Sequence, residues 1–246
     1  MSDAKGSATR LAESLERHVL APIETANAIA ETEYGEVEAE RRAFVRFRGR
    51  VASLESASSR NLTPSPRTQV RDPQSRRIQR LRSAFRETVM SVDHYDDVYG
   101  ESLVEHVAAE LSVEIAAGLE RTGHLQFTNI YKRALLSGID SAIDQRETFC
   151  AILDGERESL TQSRDTLVAV LDELDGTYVS VGTRTEFADA LDELAYSRQE
   201  TFASRTASPR TDGHDLCAYL YTNCGWTYPV LTAVARLRGT VNGMVT

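Results

Sequence analysis

Residues 128–174 read TNIYKRALLSGIDSAIDQRETFCAILDGERESLTQSRDTLVAVLDEL, and this stretch decides the fold. Ile139, Leu153, Leu160, Leu167 and Leu174 stand seven or fourteen residues apart, with Leu136, Ile143, Cys150 and Leu171 at the companion position. A seven-residue repeat keeps one stripe of a helix against a partner helix when the pair supercoils. At ~1.5 Å per residue the helix runs about 70 Å, longer than a compact chain of 246 residues requires. Arg146, Arg157 and Arg164 interrupt the seam, and Gly138 and Gly155 permit bending.

A second long helix is expected from near Pro22, a residue suited to a first turn, to about Leu54. Ile23, Ala30, Val37, Phe44 and Val51 repeat every seven residues. Ala26, Phe47 and Leu54 lie three residues further on, where Glu33 and Glu40 leave acidic gaps. So leaky a seam suits one face of an antiparallel pair better than a tight parallel zipper. Leu11, Leu15 and Val19 predict a shorter helix over 9–20.

Other elements follow the same logic. Ile78, Leu81, Phe85, Val89 and Val92 give an amphipathic helix from about Ser75. Ser102 and Glu105 form a capping box, as do Thr183 and Glu186. A last helix opens near Thr227, with Pro229 in its first turn and Trp226 and Leu231 spaced as a hydrophobic staple. YVSV at 178–181 alternates but is too short to build a sheet. The expected fold is all-α: an elongated antiparallel helical bundle with long coiled-coil-like helices and a short C-terminal helical cap. Residues 1–55 read as an N-terminal helical arm, 56–75 as a Pro/Ser/Arg-rich linker, and 76–246 as the bundle.

Composition narrows the function classes. Hydrophobic residues make up 41% and charged residues 26%, which argues against disorder. No apolar run nears the ~20 residues of a membrane span, and the first residues lack a signal-peptide core, so a cytoplasmic protein is expected. Cys150, Cys217 and Cys224 are too few for a disulfide framework. His214, Cys217 and Cys224 could ligate zinc only with a fourth ligand that the sequence does not place nearby. All 28 basic residues but Lys5 and Lys132 are arginine, in a chain of net charge −9. Residues 41–86 carry 13 arginines against two acids, Glu55 and Asp72.

Candidate chemistry is sparse. His94, Tyr95, Asp96 and Asp97 could bind a metal or shuttle protons, or could form a helix end whose aromatics pack inward. His106 and Glu110 suit a solvated helix face. No Glu stands three residues before any histidine, as a di-iron bundle requires, and no hydrolase, dinucleotide or phosphate-loop motif occurs. No catalytic, metal or cofactor residue is therefore assigned. Arg67, Arg71, Arg76, Arg77, Arg80 and Arg82 could track a phosphate backbone, or pair with acidic helices. Multi-molar salt would shrink the screening length to roughly 3 Å and weaken that drive. Tyr219, Tyr221, Trp226 and Tyr228 could line a partner groove or plug a core.

Several stretches together resemble a haloarchaeal family of uncharacterised helical proteins. They are ExERxAFxxF from Glu38, FRETVMSVDHY from Phe85 followed by YGES from Tyr99, and AYLY with WTYPVL between Ala218 and Leu231. The resemblance implies a haloarchaeal cytoplasm and brings no activity with it. The sequence thus points to a non-enzymatic helical interaction or scaffold protein, self-associating or pairing its long helices with another protein. The alternative is a DNA-associated or transcription-linked protein using segment 60–86.

Overall fold

The computed structural model describes residues 2–56, 73–120, 127–176, 181–204 and 213–243, with side chains described over 16–56, 75–120, 127–173, 185–202 and 215–239. Every regular element among them is helical, as the periodicity leads one to expect. The helices are α1 (Ser2–Ser53), α2 (Pro73–Arg86), α3 (Tyr95–Val98), α4 (Leu103–Glu110), α5 (Val113–Leu119), α6 (Asn129–Gly176), α7 (Val181–Ser204), α8 (Gly213–Leu220) and α9 (Pro229–Gly243). Among the described residues, no helix is long and apolar enough to cross a membrane. The chain forms two compact units: a terminal unit of 1–33 with 153–246, and a central unit of 34–152. Most of the segment read as a linker, 57–72, lies outside the described residues.

Residues Ile23, Ala30, Val37, Phe44 and Val51 of α1 are all buried, as are Ile139, Leu153, Leu160 and Leu167 of α6. Ion pairs give the register. In the terminal unit, Glu24 meets Arg164 at 3.7 Å and Glu31 meets Arg157 at 3.6 Å. In the central unit, Arg41 meets Glu147 at 3.1 Å and Arg48 pairs with Asp140. Within each unit, seven residues forward on α1 match seven residues back on α6, so the two helices run antiparallel. Such solvated rim pairs contribute little to stability; they mark the register, while buried apolar surface supplies most of the stability.

The companion seam of α6 matches the expected one in part: Cys150 and Leu171 are buried as expected. Leu136 and Ile143 are only partly buried, and the tightly enclosed positions include Ala142, Glu156, Ser163 and Val170. Hydropathy passes over that row because it contains a carboxylate, a hydroxyl and a methyl.

Contrary to the break expected at Pro22, α1 runs through it. Proline lacks the N–H that would bond the carbonyl four residues back, here His18. Arg236 of α9 donates Nη1 to that carbonyl at 2.8 Å. A side chain thus occupies the acceptor that the ring leaves open. Lys132 does similar work at the other end of α1, where its Nζ donates to the carbonyls of Ala52 (2.7 Å) and Leu54 (2.6 Å). Carbonyls at a helix C-terminus have no intrahelical donor, and a cation there also suits the helix dipole.

In the central unit, Phe44 and Phe47 of α1 meet Phe85 of α2 edge-on, with Phe47 and Phe85 centred 5.1 Å apart. Val107 of α4, Leu119 of α5 and Leu135 of α6 complete this core. The Ser102–Glu105 capping box is present. Gly118 of α5 is buried beneath Tyr131, whose hydroxyl donates to the Ile115 carbonyl at 2.7 Å. A Cβ on Gly118 would stand 2.8 Å from that hydroxyl oxygen. In the terminal unit, Phe187, Leu191 and Leu194 of α7, Leu216 of α8 and Val234 and Leu237 of α9 are buried. α7 begins at Val181, ahead of Thr183, so Thr183 lies inside the helix and not at its cap.

Candidate functional site

Two polar clusters stand out, one in each unit. In the central unit Glu40, an acidic gap in the α1 seam, accepts three hydrogen-bonding contacts. Arg146 Nε lies 2.8 Å away, the Tyr99 hydroxyl 2.8 Å and His94 Nε2 3.0 Å. Arg146 fills the α6 seam position between Ile139 and Leu153, also meets Glu110 at 2.9 Å, and lies over the Phe44 ring at 4.5 Å. Burial works against the charge on Glu40, but Arg146, together with hydrogen bonds from His94 and Tyr99, more than offsets it. The Glu40 carboxyl is held below its ordinary value of 4.5. Burial, with Glu40 beside it, pushes the Tyr99 hydroxyl well above its ordinary range. A general base works best with a pKa near the operating pH; Glu40 is displaced away from it. The arrangement stabilises the ionised form of Glu40.

The sequence-derived His94 cluster therefore separates. His94 turns to Glu40 and Tyr95 is buried, whereas Asp96 and Asp97 are exposed. His106, expected on a solvated face, is only 2% exposed. Its Nδ1 stands 3.3 Å from Glu101, and its ring packs against Tyr95, Tyr99 and Phe85. The rings of Phe85, Tyr95 and Tyr99 enclose it. Among the described residues, no three His, Cys, Asp or Glu side chains are placed to hold a metal ion. Cys217 is buried and Cys224 partly so, while the His214 side chain lies outside the described set.

Sequence reasoning did not single out the second cluster. In the terminal unit, Glu156 is 0% exposed and Arg198 of α7 2%. Arg198 Nη2 donates to Glu156 Oε1, and its Nη1 donates to Ser159 Oγ at 2.7 Å. The Tyr221 hydroxyl donates to the same carboxylate oxygen at 3.0 Å. Burial, with Glu156 next to it, raises the Tyr221 pKa. Arg198 also lies over the Phe202 ring at 4.5 Å. The only signal in the sequence was position: Glu156 stands four residues before Leu160 on the buried stripe. The aromatic run near the C-terminus also divides. Tyr221 enters this core, while Tyr219 is 56% exposed and bonds Glu33, the other acidic gap of α1, at 2.7 Å.

The candidate nucleic-acid residues fall into three groups. Arg67 and Arg71 lie outside the described residues. Arg82 donates to the Leu119 carbonyl at the C-terminus of α5, a helix-capping role. Arg76 and Arg80 are exposed and Arg77 half-exposed on α2. Arg76 and Arg80 line a groove of about 570 Å³ with Arg50 and Leu54 of α1.

Residues 21–244 match the model of a domain of unknown function, DUF7260, so the chain belongs to that family. No curated protein and no solved structure matches the chain.

Proposed function

We propose that this is a non-enzymatic helical interaction protein: a scaffold whose interior polar groups stabilise its own units and whose outer helix faces meet a partner. The observation that carries this reading is the saturation of Glu40. A carboxylate with three donors around it, held ionised by Arg146, is structural in character. Seam residues such as Phe44 of α1 and Leu160 of α6 are enclosed within their units, so a partner helix would engage the faces that carry exposed residues such as Val45. The arginine bias, the low pI of about 5.2 and the sequence resemblance extend the reading to a haloarchaeal cytoplasm.

The test is purification of the chain from its native cells at native salt, then reconstitution of any recovered partner from pure components with light scattering. The reading expects a stoichiometric complex, homomeric or heteromeric, that persists in Glu40→Gln. A turnover activity lost in Glu40→Gln at unchanged melting temperature would overturn it. Nucleic-acid association is the second reading, favoured by Arg76, Arg77 and Arg80, which have no acidic partner among the described residues.

A further inference from the structure

We propose that the arginines on the outer faces of α1 and α2 form a docking surface for the phosphate backbone of duplex nucleic acid, without readout of base sequence. This rests on the nucleic-acid reading and deepens it, because the structure selects different residues from those the sequence suggested. Arg82 leaves the set, held at the end of α5. Arg46 enters it: it is exposed on α1, one turn before Arg50, and has no acidic partner among the described residues. Arg50 lines the same groove as Arg76 and Arg80, and pairs with Glu87.

Glu87 lines the groove itself and is paired with Arg50, while other acids of the central unit are engaged away from this face. Glu38 holds Arg41 and Arg42, Asp140 holds Arg48, and Glu40 and Glu110 hold Arg146. On α2, Leu81, Ala84 and Phe85 turn into the core, so the guanidinium groups of Arg76 and Arg80 project the other way. A Cβ on Gly49, between Arg46 and Arg50, would meet nothing within 4 Å, so the surface there is open to close approach. Guanidinium forks grip phosphate in bidentate fashion.

The choice of duplex follows from what the groove lacks. Single-strand binders stack bases on aromatic rings, and the groove is lined by no aromatic residue. Its cationic residues, Arg50, Arg76 and Arg80, outnumber its acid, Glu87, which suits backbone contacts that position a duplex and carry no sequence information.

Three exposed arginines without acidic partners among the described residues, Arg46, Arg76 and Arg80, set the expected salt dependence. Counterion release gives a slope of log K against log salt of about −2.7 for three phosphates, so affinity falls roughly 40-fold between about 50 and 200 mM salt. The experiment is fluorescence anisotropy of the full chain with a labelled mixed-sequence duplex across that range. The variants are Arg76→Gln with Arg80→Gln, and Arg17→Gln, an exposed arginine of the terminal unit, as the charge-matched control.

The double variant should bind more weakly, with its slope reduced to about −0.9, and its circular dichroism should be unchanged. Arg17→Gln should match the parent. An unaltered slope in the double variant would overturn the assignment of these residues. Single-stranded DNA bound as tightly as the duplex through the same arginines would overturn the duplex inference and leave the nucleic-acid reading standing. Displacement of the duplex by a polyglutamate peptide of equal charge would identify an acidic protein as the partner and overturn both. Absence of duplex and single-strand binding at the lowest salt would also overturn both.

Discussion

Replacing Glu156 with Leu should be among the most damaging substitutions in the terminal unit. It leaves the Arg198 guanidinium, with a side chain 1% exposed, facing apolar neighbours and a single serine hydroxyl. Removing one partner of a buried pair costs about 3–5 kcal/mol, because the remaining charge is uncompensated. That is a large part of the roughly 5–15 kcal/mol that separates a folded domain from its unfolded chain. Arg198→Met should cost about as much, since Glu156 would retain the Tyr221 donor but lose its counter-charge. The double variant Glu156→Leu with Arg198→Met removes both charges together. What it leaves is the Tyr221 hydroxyl without its acceptor, a penalty of about 1–3 kcal/mol. The double variant should therefore be more stable than either single one, with a coupling of several kcal/mol. Adding Tyr221→Phe should recover part of the remainder. Urea unfolding followed by far-ultraviolet circular dichroism gives all these values. Single substitutions costing under about 1 kcal/mol would show that the charges are solvated and not paired in a core. A double variant no better than the singles would show that they do not act as a pair.

Three further outcomes follow from other contacts. Gly118→Ala should lower stability by about 1–3 kcal/mol in thermal melts, since the added methyl displaces Tyr131 from the Ile115 carbonyl; Tyr131→Phe with Gly118→Ala should recover little, because the ring itself is in the way. Glu40 has a folded-state pKa below its unfolded value, so its contribution is present above about pH 4.5 and lost as the pH falls through the lower, folded-state value. The acid limb of the stability curve should accordingly be flatter in Glu40→Gln, and an unchanged limb would remove Glu40 from the account. Arg236→Ala should cost about 1 kcal/mol by leaving the His18 carbonyl without its donor. Most of that loss should disappear when Pro22→Ala restores a backbone N–H; a cost independent of residue 22 would refute the link.

The sequence carried the helices and their apolar stripes, because seven-residue spacing reports directly on the buried face. It carried less of what fills the gaps in those stripes. Glu40 and Arg146 were visible as two separate interruptions, each read as a weakness in its own helix. They lie far apart in the chain, and only the antiparallel register brings them together at 2.8 Å. Glu156 and Arg198 were passed over despite the position of Glu156 on the buried stripe, because a charged residue on a helix is ordinarily a solvated one. Pro22 was read as a helix start because local rules cannot know of a donor on α9. The exposed arginines show the converse limit: their density was evident, but which of them cap helices and which face outward depends on packing. Arg82 and Arg80 stand two residues apart and do opposite things.

The pairing of α1 with α6 inside one chain underlies all of this, and cross-linking tests it directly. In a background with Cys150→Ala, Cys217→Ala and Cys224→Ser, cysteines at Glu31 and Arg157, whose side chains meet at 3.6 Å, should join through a short bis-maleimide. The product should run as a cross-linked monomer even at low protein concentration. Moving the second cysteine from Arg157 to Arg164, about 10 Å along α6, should abolish the product. Covalent dimers from the Glu31 and Arg157 pair, or equal yields in the shifted pair, would contradict the intrachain register.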